Sequence, residues 1–187
     1  MKRCTWAEQS DIERTYHDTE WGVQLRNERR LFEFLILEGV QAGLSWRTVL
    51  NKREHYRKVY DNFDVEKVAA YDDAKCAALL DDAGIIRNRL KVKMAVTNAK
   101  AFIEIQKEFG SFEAYWWGFV DGKAIQNTWE KHADIPATTE LSDRISKDMK
   151  KRGFTFVGST IIYAMMQATG LVNDHTTDCF RYKEVQQ

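Results

Sequence analysis

Apolar residues recur at helical spacing along most of the chain, and no pair of alternating apolar runs joined by an Asn-Gly or Asp-Gly turn marks a hairpin sheet. The pattern predicts an all-α class. One helix is expected over Glu28 to Glu38, stopped by Gly39, and a second from about Ser45, carrying Val49, Leu50, Arg53 and Tyr56. Asp64 and Asp72 stand as N-caps before Ala-containing stretches, with Gly84 closing the second. The longest helix spans Asn88 to Phe109, where Leu90, Met94, Asn98 and Ala101 or Phe102 form a stripe that ends before Gly110. Tyr115, Trp116, Trp117 and Phe119 make a short aromatic helix. Asp121 to Pro136, with the only proline, is polar and without period, so a surface loop is expected. Thr139 to Arg152, closed by Gly153, and Ser159 to Thr169, closed by Gly170, complete the helical set. There is no internal repeat, and the tail from Phe180 is expected to lack fixed structure.

One stripe is broken by a charge. Leu31, Phe34 and Leu35 stand at i, i+3 and i+4, and the next step lands on Glu38. If the helix holds, a carboxyl group points at the core and must find donors, keep its proton or face a ligand. If the helix frays before Gly39, Glu38 turns into solvent. Its neighbours are an amide, a flexible turn, an apolar tip and a large ring: Gln41, Gly43, Leu44 and Trp46. Those parts suit a nucleobase pocket, with a ring for stacking, a carboxylate for exocyclic N–H groups and a wedge for a vacated stack.

Length and composition allow this without demanding it. The 187 residues suffice for one sizeable core, and the 12% aromatic content, with six tryptophans, serves either a core or a pocket for a flat ligand. The 28 basic and 28 acidic residues leave no net charge to steer a polyanion, so any DNA contact must be local. No run approaches a membrane span and the start lacks an apolar leader, so a cytoplasmic protein is expected.

The three cysteines argue against a disulfide framework. Cys4 and His17 lie near one end of the chain, and His175 and Cys179 near the other at a spacing that aims both along one helical face. Spacing alone leaves two readings: four unrelated residues, or a Cys2His2 zinc site whose four protein ligands make the metal structural. Cys76 reads as a buried thiol, and His55 and His132 as surface residues.

Between the last two long helices, Gly153 to Ser159 forms a short glycine-bounded connection after Lys150, Lys151 and Arg152. Amides there and at the next helix start suit a phosphate, although an ordinary turn between two packed helices is also consistent. A P-loop is excluded because Ser159 stands where its lysine is required.

These motifs in order resemble bacterial 3-methyladenine DNA glycosylase I, of the helix-hairpin-helix glycosylase superfamily. The resemblance rests on Arg3-Cys4 with Trp6, Tyr16-His17-Asp18 with Glu20-Trp21-Gly22, and Leu37-Glu38 through Gln41-Ala42-Gly43-Leu44-Ser45-Trp46. Ala83 to Arg87, Lys151 to Phe154 with Val157-Gly158, and Gly170 to His175 extend it over nearly the whole chain.

The resemblance implies a single domain over 1–187, with a helix-hairpin-helix element at about 141–170 and two helical lobes joined by one structural zinc ion on Cys4, His17, His175 and Cys179. It implies Glu38 as the catalytic residue, Tyr16 and Trp46 against an extruded base, and Trp6 and Trp21 at the pocket border. Gln41, Gly43 and Leu44 would enter the duplex, and Gly153, Gly158, Ser159 and Lys151 would anchor its backbone. The implied partner is double-stranded DNA with alkylated bases, and the implied product free 3-methyladenine, released by a monomer without strand cleavage. Asp174 lies near the place where relatives in the superfamily carry a catalytic Asp, and a supporting or capping role is equally open. A non-catalytic DNA-binding module and a zinc hydrolase are the competing functional readings.

Overall fold

A computed structural model describes residues 1–186. The helices are α1 (Asp11–Thr19), α2 (Glu28–Gln41), α3 (Trp46–Val59), α4 (Val65–Ala69), α5 (Asp73–Asp81), α6 (Arg89–Phe109), α7 (Phe112–Gly118), α8 (Glu140–Lys151), α9 (Ser159–Ala168) and α10 (Arg181–Glu184). Local chemistry starts most of them. The side chains of Ser10, Asn27, Ser45, Asp64, Asp72, Asn88, Ser111 and Thr139 each accept from an amide in the first turn of the helix they precede.

α2 is the central helix: every residue from Leu31 to Val40 is buried. Its Leu31, Phe32, Leu35 and Ile36 share a core with Phe102 of α6, Phe112 and Trp116 of α7, and Ile162 and Met166 of α9. Sequestering this much apolar surface is the main source of stability. A second, smaller cluster holds Cys4, Tyr16, Trp21, Phe34, Leu50 and Cys179, so the two chain ends meet against α2 and α3.

Several sequence expectations change. α2 does not stop at Gly39 but runs to Gln41. Gly39 instead allows close packing, since a Cβ there would lie 2.8 Å from Met94 Cε and 3.4 Å from Phe156 Cβ. Gly84 likewise comes after the end of α5 and serves close approach, because a Cβ would come within 2.1 Å of His55 Cδ2. On α6 the inward stripe begins at Lys91, not Leu90, which is 64% exposed. Cys76 is half-buried, and His55 pairs with Asp82.

The segment from Asp121 to Pro136 is not only a loop. Ile125–Gln126 forms strand β1, which pairs in parallel with β2 (Val172–Asn173) in the register Ile125↔Val172 and Gln126↔Asn173. The fold is therefore mostly helical, with one two-residue strand pair among the described residues. The described part of the tail, residues 180–186, is also ordered: Phe180 donates its amide to the Lys2 carbonyl, α10 comes next, and Val185 is buried. None of the helices is long and apolar enough to cross a membrane.

Gly170 lets the end of α9 lie directly on the N-terminal segment. Its φ is +72°, and a Cβ would meet Val23 and Gln24 backbone atoms at 2.6–2.7 Å. Gly170→Ala is therefore expected to lower folding stability by about 2–4 kcal/mol through backbone strain and overpacking. Urea unfolding checks this, and an unchanged midpoint contradicts it.

Candidate active site and metal centre

A cavity of about 240 Å³ opens where α1, α2, α3 and α9 converge, and Trp6, Tyr16, Trp21, Glu38, Gln41 and Trp46 line it. The residues expected from sequence to meet or border a base thus come together, from four separate stretches of chain. Glu13, His132, Ala164 and Gln167 complete the lining and were not expected. Glu13 belongs to α1, whose start is signalled by Ser10-Asp11-Ile12-Glu13: Ser10 accepts from the Glu13 amide and donates to its carboxylate at 2.6 Å. His132 carries no such signal, because it reaches the cavity through the fold of the 120s loop.

Aromatic rings make the walls. Tyr16 and Trp46 stand 5.5 Å apart at 54°, Trp6 and Tyr16 6.2 Å apart, and Trp6 meets Trp21 edge-on at 5.2 Å. The Trp46 indole N–H is buried with no hydrogen-bond partner among the described residues. Burial pushes the Tyr16 hydroxyl well above its usual range, and the nearby Glu38 adds to the effect.

The two carboxyl groups buried on α2 have opposite fates. Glu33 is met by Arg53 and Arg57, and Arg53 also bonds Glu20. No hydrogen bond lowers the cost for Glu38: burial alone raises its pKa to about 8. It also lies in the last turn of α2, where the helix dipole disfavours a negative charge. Burial therefore favours the protonated form of Glu38, and a cation in the cavity would favour its carboxylate.

Cys4, His17, His175 and Cys179 are all buried, and their ligand atoms lie within 4.8 Å of one another. His175 and Cys179 do not share a helical face; they belong to the turn region between β2 and α10, so tertiary folding rather than helical spacing brings them together. The sulfur–nitrogen separations are 3.4 Å for Cys179–His17 and 3.6 Å for both Cys4–His175 and Cys179–His175. Thiolate and imidazole ligands around one tetrahedral centre stand about 3.6 Å apart. The remaining ring nitrogens have acceptors: His17 Nδ1 faces Asp18 at 2.8 Å and His175 Nε2 faces the Trp21 carbonyl at 3.1 Å. Those bonds leave His17 Nε2 and His175 Nδ1 with lone pairs toward the thiols. Hydrogen bonding with Cys4 holds the Cys179 thiol far below its ordinary pKa. The donor set thus fits a metal ion.

The segment beyond α2 is an exposed tip. Leu44 donates its amide to the Gln41 carbonyl at 2.7 Å, Gly43 takes φ +78° with open space around its Cα, and Leu44 is 37% exposed.

The connection from α8 to α9 is a tight turn, with Gly153 at φ +90° and buried Phe154 and Val157. Not all of its amides are open. Gly153 and Phe154 bond back to α8, and Thr155 donates to Asn98 Oδ1 at 2.8 Å. Arg152 does not add free positive charge either, since it pairs with Glu108 and Asp148. Lys151 is exposed, and α9 is the only helix of nine or more residues among the described residues whose start has no capping side chain. Gly158 occupies that cap position, which leaves the first-turn amides of α9 for another acceptor.

Asp174 is fully engaged. Its carboxylate accepts from Asn127 Nδ2, Trp129 Nε1, the Tyr163 hydroxyl and Gln167 Nε2 at 2.6–2.8 Å. Asp174 is thus an anchor for the 120s loop.

The Glu38 shift has a definite sign. A carboxyl whose folded pKa is raised contributes its full stability below the unfolded value of 4.5 and loses it as pH rises toward about 8. Glu38→Gln, always neutral, is expected to leave melting near pH 4.5 unchanged and to raise the melting temperature at pH 8. Parallel melting-temperature profiles for the two proteins sink this account.

The methyladenine glycosylase family model matches residues 6–182. DNA-3-methyladenine glycosylase 1 of Escherichia coli (strain K12) is 46% identical over 182 residues, covering 97% of each chain. A crystal structure of 3-methyladenine DNA glycosylase I superposes with TM-score 0.93 at 46% identity, over 96% of this chain and 98% of that one. A structure on 3-methyladenine recognition by 3-methyladenine DNA glycosylase I from Staphylococcus aureus gives TM-score 0.93 at 32% identity, over 96% of each chain. With the match running almost end to end and the aromatic cavity and Cys/His cluster assembled, the chain belongs to the methyladenine glycosylase family.

Proposed function

We propose that this chain is a monofunctional DNA-3-methyladenine glycosylase of base excision repair, acting as a monomer on double-stranded DNA in the cytoplasm. The observation that carries the reading is Glu38, buried without a hydrogen bond in an aromatic cavity. Such a group discriminates by charge. Adenine methylated at N3 in DNA is cationic, and its arrival replaces missing solvation by attraction to a carboxylate and to the faces of Tyr16 and Trp46.

The reaction asks little acid catalysis of the protein. Water adds to the sugar C1′, the electron pair of the C1′–N9 bond stays with the base, and the proton of water passes to solvent. 3-Methyladenine leaves neutral, and an abasic site remains. Glu38 accepts from the base's N–H groups, while Trp6 and Trp21 border it. Among the described residues no lysine lines the cavity to form a Schiff base, which supports a reaction that leaves the strand uncut.

Extrusion of the base costs a few kcal/mol and needs a wedge and a backbone anchor. Leu44, with Gln41 and Gly43, is the wedge at the exposed tip. The α8–α9 unit is read as a helix-hairpin-helix, in which amides at Gly158 and Ser159 and the Lys151 ammonium take a phosphate. One structural zinc ion is assigned to Cys4, His17, His175 and Cys179, which would supply all four of its ligands and leave no position for water. Its bond energy would tie the first residues to the last.

Three outcomes are expected. The protein releases 3-methyladenine from methylated duplex DNA, and Glu38→Gln slows that release about a hundredfold, as loss of one charge-stabilising group does. For the unaltered protein kcat/KM rises with pH up to about 8, where Glu38 ionises in the free enzyme, and in Glu38→Gln the rise disappears. Absence of base release in a chromatographic assay refutes the function, and a pH profile flat over that range refutes the role of Glu38. Strong chelation lowers the melting temperature, because binding energy is folding energy at a four-ligand site; loss of activity with an unchanged melt would instead favour a catalytic metal.

A further inference from the structure

The wedge tip and the helix-hairpin turn, the two DNA-contacting parts of the proposed function, are both held from behind by one face of α6. Lys91 extends its ammonium to the Val40 and Ala42 carbonyls at 2.7 and 2.8 Å, on either side of Gln41. Those are carbonyls at the C-terminal end of α2, which a cation satisfies well. Lys91 is itself buried. Seven residues along, Asn98 is fully buried and grips the turn twice, accepting from the Thr155 amide at 2.8 Å and donating to its carbonyl at 2.9 Å.

Positions seven apart on a helix share a face and stand about 10 Å apart along its axis. Met94, between them, presses against Gly39 from one side while Phe156 of the turn approaches it from another, at φ +55°. Three elements therefore meet at a glycine one residue from Glu38. A left-handed non-glycine residue at such a junction persists only where its surroundings hold it.

We infer that Lys91 and Asn98 are positioning residues that set the spacing between the base-extruding tip and the phosphate anchor, with α6 as the bar between them. The inference rests on the glycosylase reading of the cavity. Neither side chain lines that cavity, so each acts through the backbone it holds. A wedge that shifts relative to its phosphate anchor enters the duplex poorly, although the pocket still accepts a base already out of the stack. Lys91 and Asn98 thus belong to extrusion, and Glu38, Tyr16 and Trp46 to recognition and release of the extruded base.

The test compares full-length proteins in single-turnover release from two duplexes, one with 3-methyladenine opposite thymine and one with it opposite an abasic gap. Lys91→Met keeps length and apolar stem but loses the donor; Asn98→Asp keeps shape but sets an acceptor against the Thr155 carbonyl. Each is expected to slow release about tenfold to a hundredfold opposite thymine, with a much smaller loss opposite the gap, where leaving the stack costs less. Binding of free 3-methyladenine, monitored by tryptophan fluorescence, stays unchanged, and Lys91→Arg restores release. Lys91→Gln carries the same comparison if Lys91→Met does not fold. Equal losses on both duplexes, or a parallel loss of free-base binding, overturn the spacing role alone. Failure of the unaltered protein to release base from either duplex overturns the glycosylase reading and the spacing role with it.

Discussion

An unpaired carboxyl group at the buried end of a helix is the constraint around which this molecule is arranged. Glu38 sits in the last turn of α2, where carbonyl dipoles, apolar walls and absent donors all oppose its ionisation. The same helix shows how a buried carboxylate is ordinarily accommodated, by the arginines that meet Glu33. Withholding that arrangement from Glu38 makes its ionisation costly and the cavity receptive to a cation. The cost is supported by packing elsewhere along α2, which is enclosed by α3, α6, α7 and α9.

Holding such a group in place requires a rigid frame, and the frame comes from distant parts of the chain. The Cys/His cluster joins Cys4 to Cys179 behind Trp6 and Trp21, and Gly170 lets α9 touch the N-terminal backbone. Asp174 carries this further: its four donors bind the 120s loop to α9, which places His132 at the rim of the cavity. A carboxylate this fully used is an anchor, whereas Glu38 has none of these bonds, which is why the proposed function gives it the chemistry. Two buried acids are thus separated in role by their donors alone.

The same contrast organises the side proposed to face DNA. Most helices satisfy their first amides with a neighbouring Ser, Thr, Asp or Asn, but α9 opens on Gly158 and leaves its amides unspent. Nearby Arg152, positive in the sequence, is neutralised by Glu108 and Asp148, so the proposed phosphate contact falls to the helix terminus and Lys151. This suits a chain without net charge, whose grip on a polyanion has to be local.

What the sequence alone determined was local and periodic. The caps at Asp64 and Asp72, the helix starts near Ser45, Asn88 and Thr139, the stripe that ends on Glu38, and the ordered motifs of the family were all legible, because each depends on neighbours within a turn or two. The tertiary structure decided what depends on contacts between remote segments. Helix α2 continues through Gly39 because Met94 and Phe156 pack there and Lys91 satisfies carbonyls at its end. Two residues of a polar loop become a strand because Val172 and Asn173 lie alongside. His175 and Cys179 meet Cys4 and His17 from a turn, where helical spacing has no bearing. Whether Glu38 is buried or solvated was open in the sequence for the same reason: burial is a property of what surrounds a residue, and its surroundings come from segments far away in the chain.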